Sequence, residues 1–270
     1  IVWKKCYGGP NTDRAWSIIK VRNEESYVIA GFSKSNNGDL TKNNGAKDYW
    51  IFKIDSIGNL LWQKSFGGSN VEEATSIIQT LDGGLLIAGF TGSNDHDVDT
   101  SYGGWYDAWL IKLSAVGTLE WKKVIGDSLS NRWCSVIQDY DSNFYLSLTT
   151  EMNYPNNCYL NLIKTNRQGD LIWKKTYQNG SYSHYDIKPI ILNNENKIVV
   201  GGNNSLMIYD TSGATYKSST SLNGRIRSVH MDNYGEYFVA GSNTSTATPG
   251  FIGNTDSYIA KLDKNLNLIW

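Results

Sequence analysis

The chain has 270 residues, of which 40% are hydrophobic, and its 25 basic and 26 acidic side chains leave a formal net charge of −1. This balance excludes the broad basic surface that nucleic-acid-binding proteins need. No run of about 20 apolar residues is present, so the sequence predicts no membrane-spanning helix. With 26 glycines, four prolines, ten tryptophans and 17 tyrosines, the composition favours aromatic-rich strands joined by tight turns.

A repeated phrase built around tryptophan divides the chain into five units. The phrases are IVWKKCYGG, LLWQKSFGG, LEWKKVIGD and LIWKKTYQN, with a weaker copy, SGATYKSS, and a partial one, NLIW. The repeat units start near residues 3, 62, 121, 173 and 216. Self-similarity at such a spacing is the signature of a repeat architecture, so we expect each unit to fold as one supersecondary element.

Each unit contains the same segments in the same order. The tryptophan strand is followed by a Gly-rich turn, a short apolar run such as WSIIKV or TSIIQT, and a polar turn. A second run such as YVIAGF or LLIAGF comes next, then a variable loop, then a third run such as YWIFKID or AWLIKLS. β-Branched and aromatic runs of this length, bounded by Gly, Asn, Asp and Ser, predict strands. No run sustains a 3.6-residue apolar period, so helix should be minimal.

The strand segments are apolar on both faces, with Ile18 beside Ile19 and Ile77 beside Ile78. A strand of this kind is buried between two layers. Four antiparallel strands per unit, each sheet covered by its neighbours, predict an all-β, five-bladed β-propeller forming a single domain over residues 1–270. A six-bladed propeller or a fragment of a longer array is the alternative, because six candidate tryptophan strands accompany five sets of the other three.

The repeat also resembles a known family. The phrases W-x-K-x-x-G-G-S, E-A-x-S-I-I-Q-T-x-D-G-G-x-x-I-A-G-x-T and D-x-W-(L/I)-x-K-(L/I)-D-x-x-G-x-L-x-W resemble the tryptophan/Gly-Gly β-propeller repeats of secreted and surface proteins in Bacteroidetes-type bacteria, often associated with type IX secretion. The turn-then-tryptophan element looks like the blade motif of pyrroloquinoline-quinone propellers, although no residue for a quinone can be named. The resemblance implies a periplasmic, cell-surface or secreted protein. It implies no particular activity, since a fold of this kind hosts many.

Strand alternation places the Gly-rich turns and the variable loops after each second strand at one end of the propeller, hereafter the long-loop end. These loops span 33–47, 91–106, 150–157 and 243–256. Loops on a rigid scaffold are where binding residues concentrate. The recurring tryptophans, with Trp50 and Trp109, are expected to pack between sheets. The candidate ligand or partner residues at the long-loop end are Trp16, Trp105, Tyr106, Trp133 and Glu73.

The sequence contains no convergent catalytic set, because its three histidines lie in unrelated contexts and in no nucleophile or metalloprotease motif. The leading hypothesis is a non-catalytic scaffold that binds a protein partner through the long-loop end. It would act as an exported module or as an accessory subunit of an outer-membrane or secretion complex. The alternative is a glycan-binding or glycoside-hydrolysing propeller, with Trp105 or Trp133 as a stacking platform and Glu73 as the acid. Asp13 and Glu72 share one repeat position, which favours a turn-stabilising role.

Two aligned acidic loops, SNNGDL at 35–40 and SNDHDV at 93–98, indicate a possible cofactor, Ca²⁺. Asn and Asp oxygens two residues apart can wrap this cation, which takes six to eight oxygen ligands. The same residue types also form local side-chain-to-backbone turns without any metal. The candidate ligands are Asn37, Asp39, Asn94, Asp95, Asp97 and Asp99.

Overall fold

The structure is a computed structural model that describes residues 2–153, 157–177, 189–219, 222, 224–243 and 256–270. Within them the chain forms strands and no helix, so no helical segment there could cross a membrane. Blades 1 and 2 consist of β1 (Asp13–Lys20), β2 (Ser26–Ser33), β3 (Asp48–Asp55) and β4 (Leu60–Phe66), and of β5 (Glu72–Gln79), β6 (Leu85–Thr91), β7 (Asp107–Leu113) and β8 (Leu119–Ile125).

The remaining strands form three more antiparallel sheets. Blades 3 and 4 consist of β9 (Ser130–Gln138), β10 (Phe144–Asn153), β11 (Asn157–Thr165) and β12 (Leu171–Tyr177), and of β13 (Ile190–Leu192), β14 (Ile198–Gly201), β15 (Leu206–Tyr209) and β16 (Thr215–Ser218). Blade 5 consists of β17 (Arg225–Met231), β18 (Tyr237–Asn243) and β19 (Asp256–Leu262). Leu268 bridges Leu262 on the side where the other blades have a fourth strand.

This architecture is the predicted all-β, five-bladed β-propeller. Successive blades touch through their first strands, β1 with β5, β5 with β9, β9 with β13 and β13 with β17, so the first strand is the inner one. The tryptophan strands β4, β8 and β12 are the outer ones. A repeat unit of the sequence therefore begins with the outer strand of one sheet and continues into the next sheet.

The blades are held together by apolar faces that interlock. We call the face of a blade that meets the next blade along the chain its front, and the opposite face its rear. The front of blade 1, with Ala30 and Ile51, packs on the rear of blade 2, with Ile77 and Trp109, in one core cluster. Burying a side chain of this size contributes about 1.5–3 kcal/mol. Because neighbouring blades share such a cluster, the two apolar faces seen in the sequence are both explained.

The recurring tryptophans lie at the outer rim, where each packs on the β-turn of the next blade. Trp62 contacts the turn at Gly117, Trp121 the turn at Gly169 and Trp173 the turn at Gly213. These rings are half-buried, because the turn covers only part of each indole. Trp50 and Trp109 are core residues, exposed by 3% and 0%, as predicted.

The inner strands carry β-bulges that bend the chain near the propeller axis. In blades 1, 2 and 5 the strand register shifts between Ala15 and Ser17, between Ala74 and Ser76, and between Ile226 and Ser228. In blade 3 the shift lies opposite Trp133. A bulge re-aims the side chain at its extra residue. Trp16, which occupies the bulge of blade 1, is turned in this way.

Candidate functional site

The Gly-rich turns and the loops after the second strands meet at one end of the propeller, as predicted. The Gly8 amide donates to Asp39 Oδ2 at 2.8 Å, and the Ser69 amide donates to Asp95 Oδ1 at 2.8 Å. The Asn44 side-chain amide donates to the Gly67 carbonyl at 2.8 Å. Residues 154–156 and 244–255 of the other long loops lie outside the described residues.

The acids that begin the inner strands stabilise the Gly-rich turns. Asp13 Oδ2 accepts the Gly9 amide, and Glu72 Oε2 accepts the Gly68 amide, each at 2.8 Å. The other Glu72 oxygen accepts the Thr91 hydroxyl at 2.8 Å. Burial raises the pKa of Glu72 above its usual range, while these donors oppose the shift. The equivalence of Asp13 and Glu72 in the repeat therefore reflects a shared turn-stabilising role, as predicted.

The predicted calcium ligands hold loops together. Asp97 Oδ2 accepts the Gly67 amide at 3.2 Å and the Asn44 side-chain amide at 3.1 Å, and Asp99 pairs with Lys122 at 3.0 Å. Asn37 and Asn94 are exposed. Among the described residues no three acidic, histidine or cysteine side chains are grouped as metal ligands. Calcium binding stays a prediction, and the hydrogen bonds of Asp39, Asp95 and Asp97 account for these residues as loop-forming groups.

Two tryptophans from non-adjacent blades meet over the inner strand of blade 2. The rings of Trp16, in blade 1, and Trp133, in blade 3, are edge-to-face with centroids 5.6 Å apart and planes at 86°. Trp133 is 8% exposed and has a φ of 56°, in the left-handed region that a bulky side chain rarely adopts. Strained backbone of this kind persists only where its surroundings hold it, and it clusters at functional sites.

Glu73 links Trp16 to a lysine from the long-loop end. Its Oε2 accepts the Trp16 indole N–H at 3.2 Å, and its Oε1 forms an ion pair with Lys47. Glu73 is 6% exposed. Since both oxygens are engaged, this carboxylate positions Trp16 and Lys47 and balances the charge of the lysine.

Two arginines stack on aromatic rings at the edge of this group. The guanidinium of Arg132 lies 3.7 Å from the Tyr106 ring centroid, and that of Arg14 lies 5.0 Å from the Trp16 centroid. Contacts of this geometry are attractive cation–π interactions. They hold each planar guanidinium against a ring. We call the combined group the axis cluster, and it consists of Arg14, Trp16, Lys47, Glu73, Tyr106, Arg132 and Trp133.

Four of the five predicted binding residues thus come together, namely Trp16, Glu73, Tyr106 and Trp133. The fifth, Trp105, precedes Tyr106 in the chain and projects into solvent with 80% exposure. The sequence analysis missed Arg14, Lys47 and Arg132. The repeat itself contains a signal for the two arginines. One position of the inner strand, which pairs with an equivalent position of the second strand in blades 1, 2, 3 and 5, is occupied by Arg14, Glu73, Arg132 and Arg225.

No protein-family model and no curated protein matches the chain. Its fold is similar to solved structures. A protein of unknown function from Bacteroides caccae is 12% identical, with 82% of this chain and 88% of that chain covered and a TM-score of 0.49. The Dos1 propeller is 11% identical, with 88% and 52% covered and a TM-score of 0.51, so the chain spans about half the length of that one. A DUF4221 family member from Bacteroides vulgatus is 12% identical, with 98% and 84% covered and a TM-score of 0.49. Such identities show the propeller fold alone.

Proposed function

We propose that this protein is a non-catalytic scaffold that binds a protein partner through its long-loop end. The observation that carries the proposal is the axis cluster, where Trp16, Trp133 and Tyr106 gather beside Arg14 and Arg132. Tryptophan, tyrosine and arginine are the residue types that dominate binding energy in protein interfaces. The rigid blades below them keep the ordering cost of binding low.

The neighbouring Trp105 provides an anchor that the cluster itself lacks. Its indole is 80% exposed, whereas Trp133 is 8% exposed. A partner that covers Trp105 would remove on the order of 150–250 Å² of aromatic surface from water. The buried part of the cluster then acts as the support that positions Trp105, Tyr106 and Arg132 for contact.

A carbohydrate-binding function is the second candidate, favoured by the exposure of Trp105. An exposed indole can serve as a stacking platform for a sugar ring. Hydrolysis is less well supported, because glycosidases need two carboxyl groups about 5–9.5 Å apart on either side of the bond. Glu73 is the one carboxylate of the axis cluster, and it is bound to Lys47 and Trp16.

The proposed setting is the periplasm, the cell surface or the medium, with the protein as an exported module or as an accessory subunit of an outer-membrane or secretion complex. Its support is the repeat phrase, which resembles that of exported propellers. Cell fractionation with an antibody tests this part, because a protein recovered with the cytosol would contradict it.

Site-specific photocross-linking tests partner binding. A photoreactive amino acid at position 105 should yield one discrete protein adduct in cells that produce the protein. The same amino acid at position 234 is the matched control, since Tyr234 is 85% exposed in a turn at the opposite end. Equal adducts at both positions, or none at position 105, would contradict the proposal.

Two variants then identify the anchor. Trp105→Ala and Arg132→Ala should each weaken binding of the cross-linked partner about tenfold or more, as removal of an interface hot spot does. Tyr234→Ala should leave it unchanged. Binding to a glycan array that disappears in Trp105→Ala, without any protein adduct, would instead favour the carbohydrate function.

A further inference from the structure

Two arginines of the axis cluster have no carboxylate beside them. Arg14, in the inner strand of blade 1, and Arg132, in that of blade 3, occupy the position that Glu73 occupies in blade 2. Within the described part of the chain neither guanidinium forms an ion pair or donates a hydrogen bond. A guanidinium in a protein is always charged. The axis cluster thus carries three cations and one carboxylate, in a chain whose formal net charge is −1.

The repeat shows how the acid beside Arg132 was replaced. Where blade 1 meets blade 2, the Lys47 side chain pairs with Glu73, and the Lys47 carbonyl accepts a backbone hydrogen bond from blade 2. Where blade 2 meets blade 3, the Tyr106 carbonyl accepts the equivalent bond, so Tyr106 occupies the place of Lys47 and Arg132 that of Glu73. A neutral ion pair has become a ring and a cation. This junction therefore carries one more positive charge than the preceding one.

Buried donors near Arg132 lack an acceptor. The Nε of Arg132 is buried and has no hydrogen-bond partner among the described residues. Ser130 lies two residues earlier on the same face of β9, and it is 5% exposed. Its hydroxyl also has no partner in the described ranges. Buried polar groups in native proteins are almost always hydrogen-bonded, so such donors indicate a group that comes from outside the chain. Beside an unpaired cation, that group would be an anion.

Aromatic rings hold the cations of the axis cluster in place. The guanidinium of Arg14 lies 5.8 Å from the Phe32 ring centroid, and Lys47 Nζ lies 4.4 Å from the same centroid. Arg132 lies 5.7 Å from the centroid of Phe90, which is the equivalent residue of blade 2. A guanidinium that packs its face on a ring keeps its edge for a planar, bidentate acceptor such as a carboxylate.

A carboxylate suits the site better than a phosphate does. Phosphate groups are commonly bound by backbone N–H groups of Gly-rich turns. Here the Gly9 amide donates to Asp13 and the Gly68 amide donates to Glu72, each at 2.8 Å. Because the chain's own carboxylates occupy these turns, side-chain guanidiniums are the donors that the axis cluster offers to a ligand.

We infer that the axis cluster binds carboxylates and recognises an acidic segment of the protein partner. This inference rests on the proposed function and adds the chemistry of the partner to it. An aspartate or glutamate of the partner pairs with Arg132 or Arg14, and an apolar residue next to it covers Trp105. One short segment can make both contacts, since Trp105 directly precedes Tyr106, the ring on which Arg132 stacks.

Selection from a displayed library of random peptides tests the inference. Peptides recovered on the wild-type protein should be enriched in aspartate and glutamate. In fluorescence polarisation, replacing the acids of a recovered peptide by their amides should weaken its binding about tenfold or more, because charge-assisted hydrogen bonds are lost. Arg132→Gln and Arg14→Gln should each weaken binding of the acidic peptide to a similar extent. Arg167→Gln is the matched control, since it removes the same charge from an exposed turn at the opposite end, and it should change nothing.

Glu73→Gln separates recognition of charge from a structural role of the cluster. Glutamine retains an acceptor for the Trp16 indole, whereas it removes the negative charge and releases Lys47 from its ion pair. The acidic peptide should therefore bind about three- to tenfold more tightly to this variant, and its amide version should not. A cluster that only supports the fold would give unchanged or weaker binding.

The outcomes distinguish this inference from the proposed function. Recovered peptides without acidic enrichment, no recovered peptides, or full binding of the acidic peptide by Arg132→Gln would overturn the carboxylate site. A cross-linked partner at position 105 would then still stand. Acidic peptides recovered without any such adduct would contradict the protein partner and not the site. An oligogalacturonate that binds in the same assay where the peptides do not would overturn the assignment to a protein segment in favour of an acidic glycan.

Discussion

Asp48 is a buried carboxyl group at the long-loop end of β3, and it is 1% exposed. Its Oδ2 accepts the Asn44 amide at 2.8 Å, while its Oδ1 is buried without a hydrogen-bond partner among the described residues. Burial raises the pKa of Asp48 to about 6, and the nearby charges of Glu72 and Asp97 add to the rise. The ionised form is therefore the costly one in the folded state.

The burial of Asp48 makes the stability of the protein fall as the pH rises. The pKa in the folded state exceeds the unfolded value of about 3.9, so the folded state binds more protons between these two values. The contribution of the site to stability is present at low pH and is lost as pH rises through about 6. Asp48→Asn should be about 1–3 kcal/mol more stable than the wild type above pH 7, because no charge is then buried. Urea unfolding should show this advantage shrinking as the pH falls below about 6.

Asp55→Asn is the control with the opposite expectation. Hydrogen bonds from the Asn59 amide and from neighbouring donors hold the pKa of Asp55 below its usual range. Replacing that carboxylate should lower the stability at neutral pH and have no such effect below the pKa. If both variants changed stability in the same direction at pH 8, the assignment of Asp48 as a destabilising ion would be wrong.

At the scale of the element, the second strand of blades 1, 2 and 5 approaches the inner strand so closely that it needs glycine. A Cβ on Gly89 would lie 2.0 Å from the Glu73 carbonyl oxygen, and one on Gly31 would lie 1.8 Å from the Arg14 carbonyl oxygen. These glycines lie opposite the bulges that aim Trp16 and its equivalents. The I-A-G sequence of the second strand is therefore coupled to the geometry near the axis.

Gly89→Ala should destabilise the protein by about 3 kcal/mol, at the upper end of the cost of overpacking, because backbone has to move. Gly83→Ala is the comparison. Gly83 has a φ of +86°, but a Cβ there would meet no atom within 4 Å. Gly83→Ala should therefore cost only about 1–2 kcal/mol, which is the energy of holding an alanine in the left-handed backbone region. Denaturant unfolding measures both, and equal losses would contradict a steric role for Gly89.

For the whole molecule, the blades differ in how much sheet each one contains. The strands of blade 4 are three or four residues long, whereas those of blade 2 are seven or eight. In repeat proteins the stability of each unit comes from its own structure and from its neighbours. Blade 4 has fewer ladder hydrogen bonds to break, so local opening should cost less there.

Hydrogen exchange followed by mass spectrometry tests this difference. Amides of β14 and β15 should exchange faster than those of β6 and β7, although all four strands are central in their sheets. Equal protection would show that the blades open as one cooperative unit. Blade 3 offers an internal comparison, because its strands are as long as those of blade 2.

The sequence by itself determined the all-β blade architecture, the strand order and the end at which the long loops gather, and it favoured five blades over the alternative of six or a longer array. Those properties depend on local information: turn residues, β-branched runs and a recurring tryptophan phrase. Only the tertiary structure brought Trp16 and Trp133 together, since they lie in blades 1 and 3 and their convergence depends on how the blades are arranged round the axis. For the same reason no local pattern revealed that Glu73 is bound to Lys47.

One stretch of three residues shows most clearly what local sequence leaves undecided. The same sequence, Ser-Ile-Ile, occurs in the inner strands of blades 1 and 2. Ser17, Ile18 and Ile19 repeat as Ser76, Ile77 and Ile78, with the same strand pairing, yet Ile18 is 61% exposed and Ile77 is 3% exposed. Local sequence made both of them strand residues with an apolar side chain. Burial depends on whether another sheet lies against that side chain, and only the arrangement of the blades decides this.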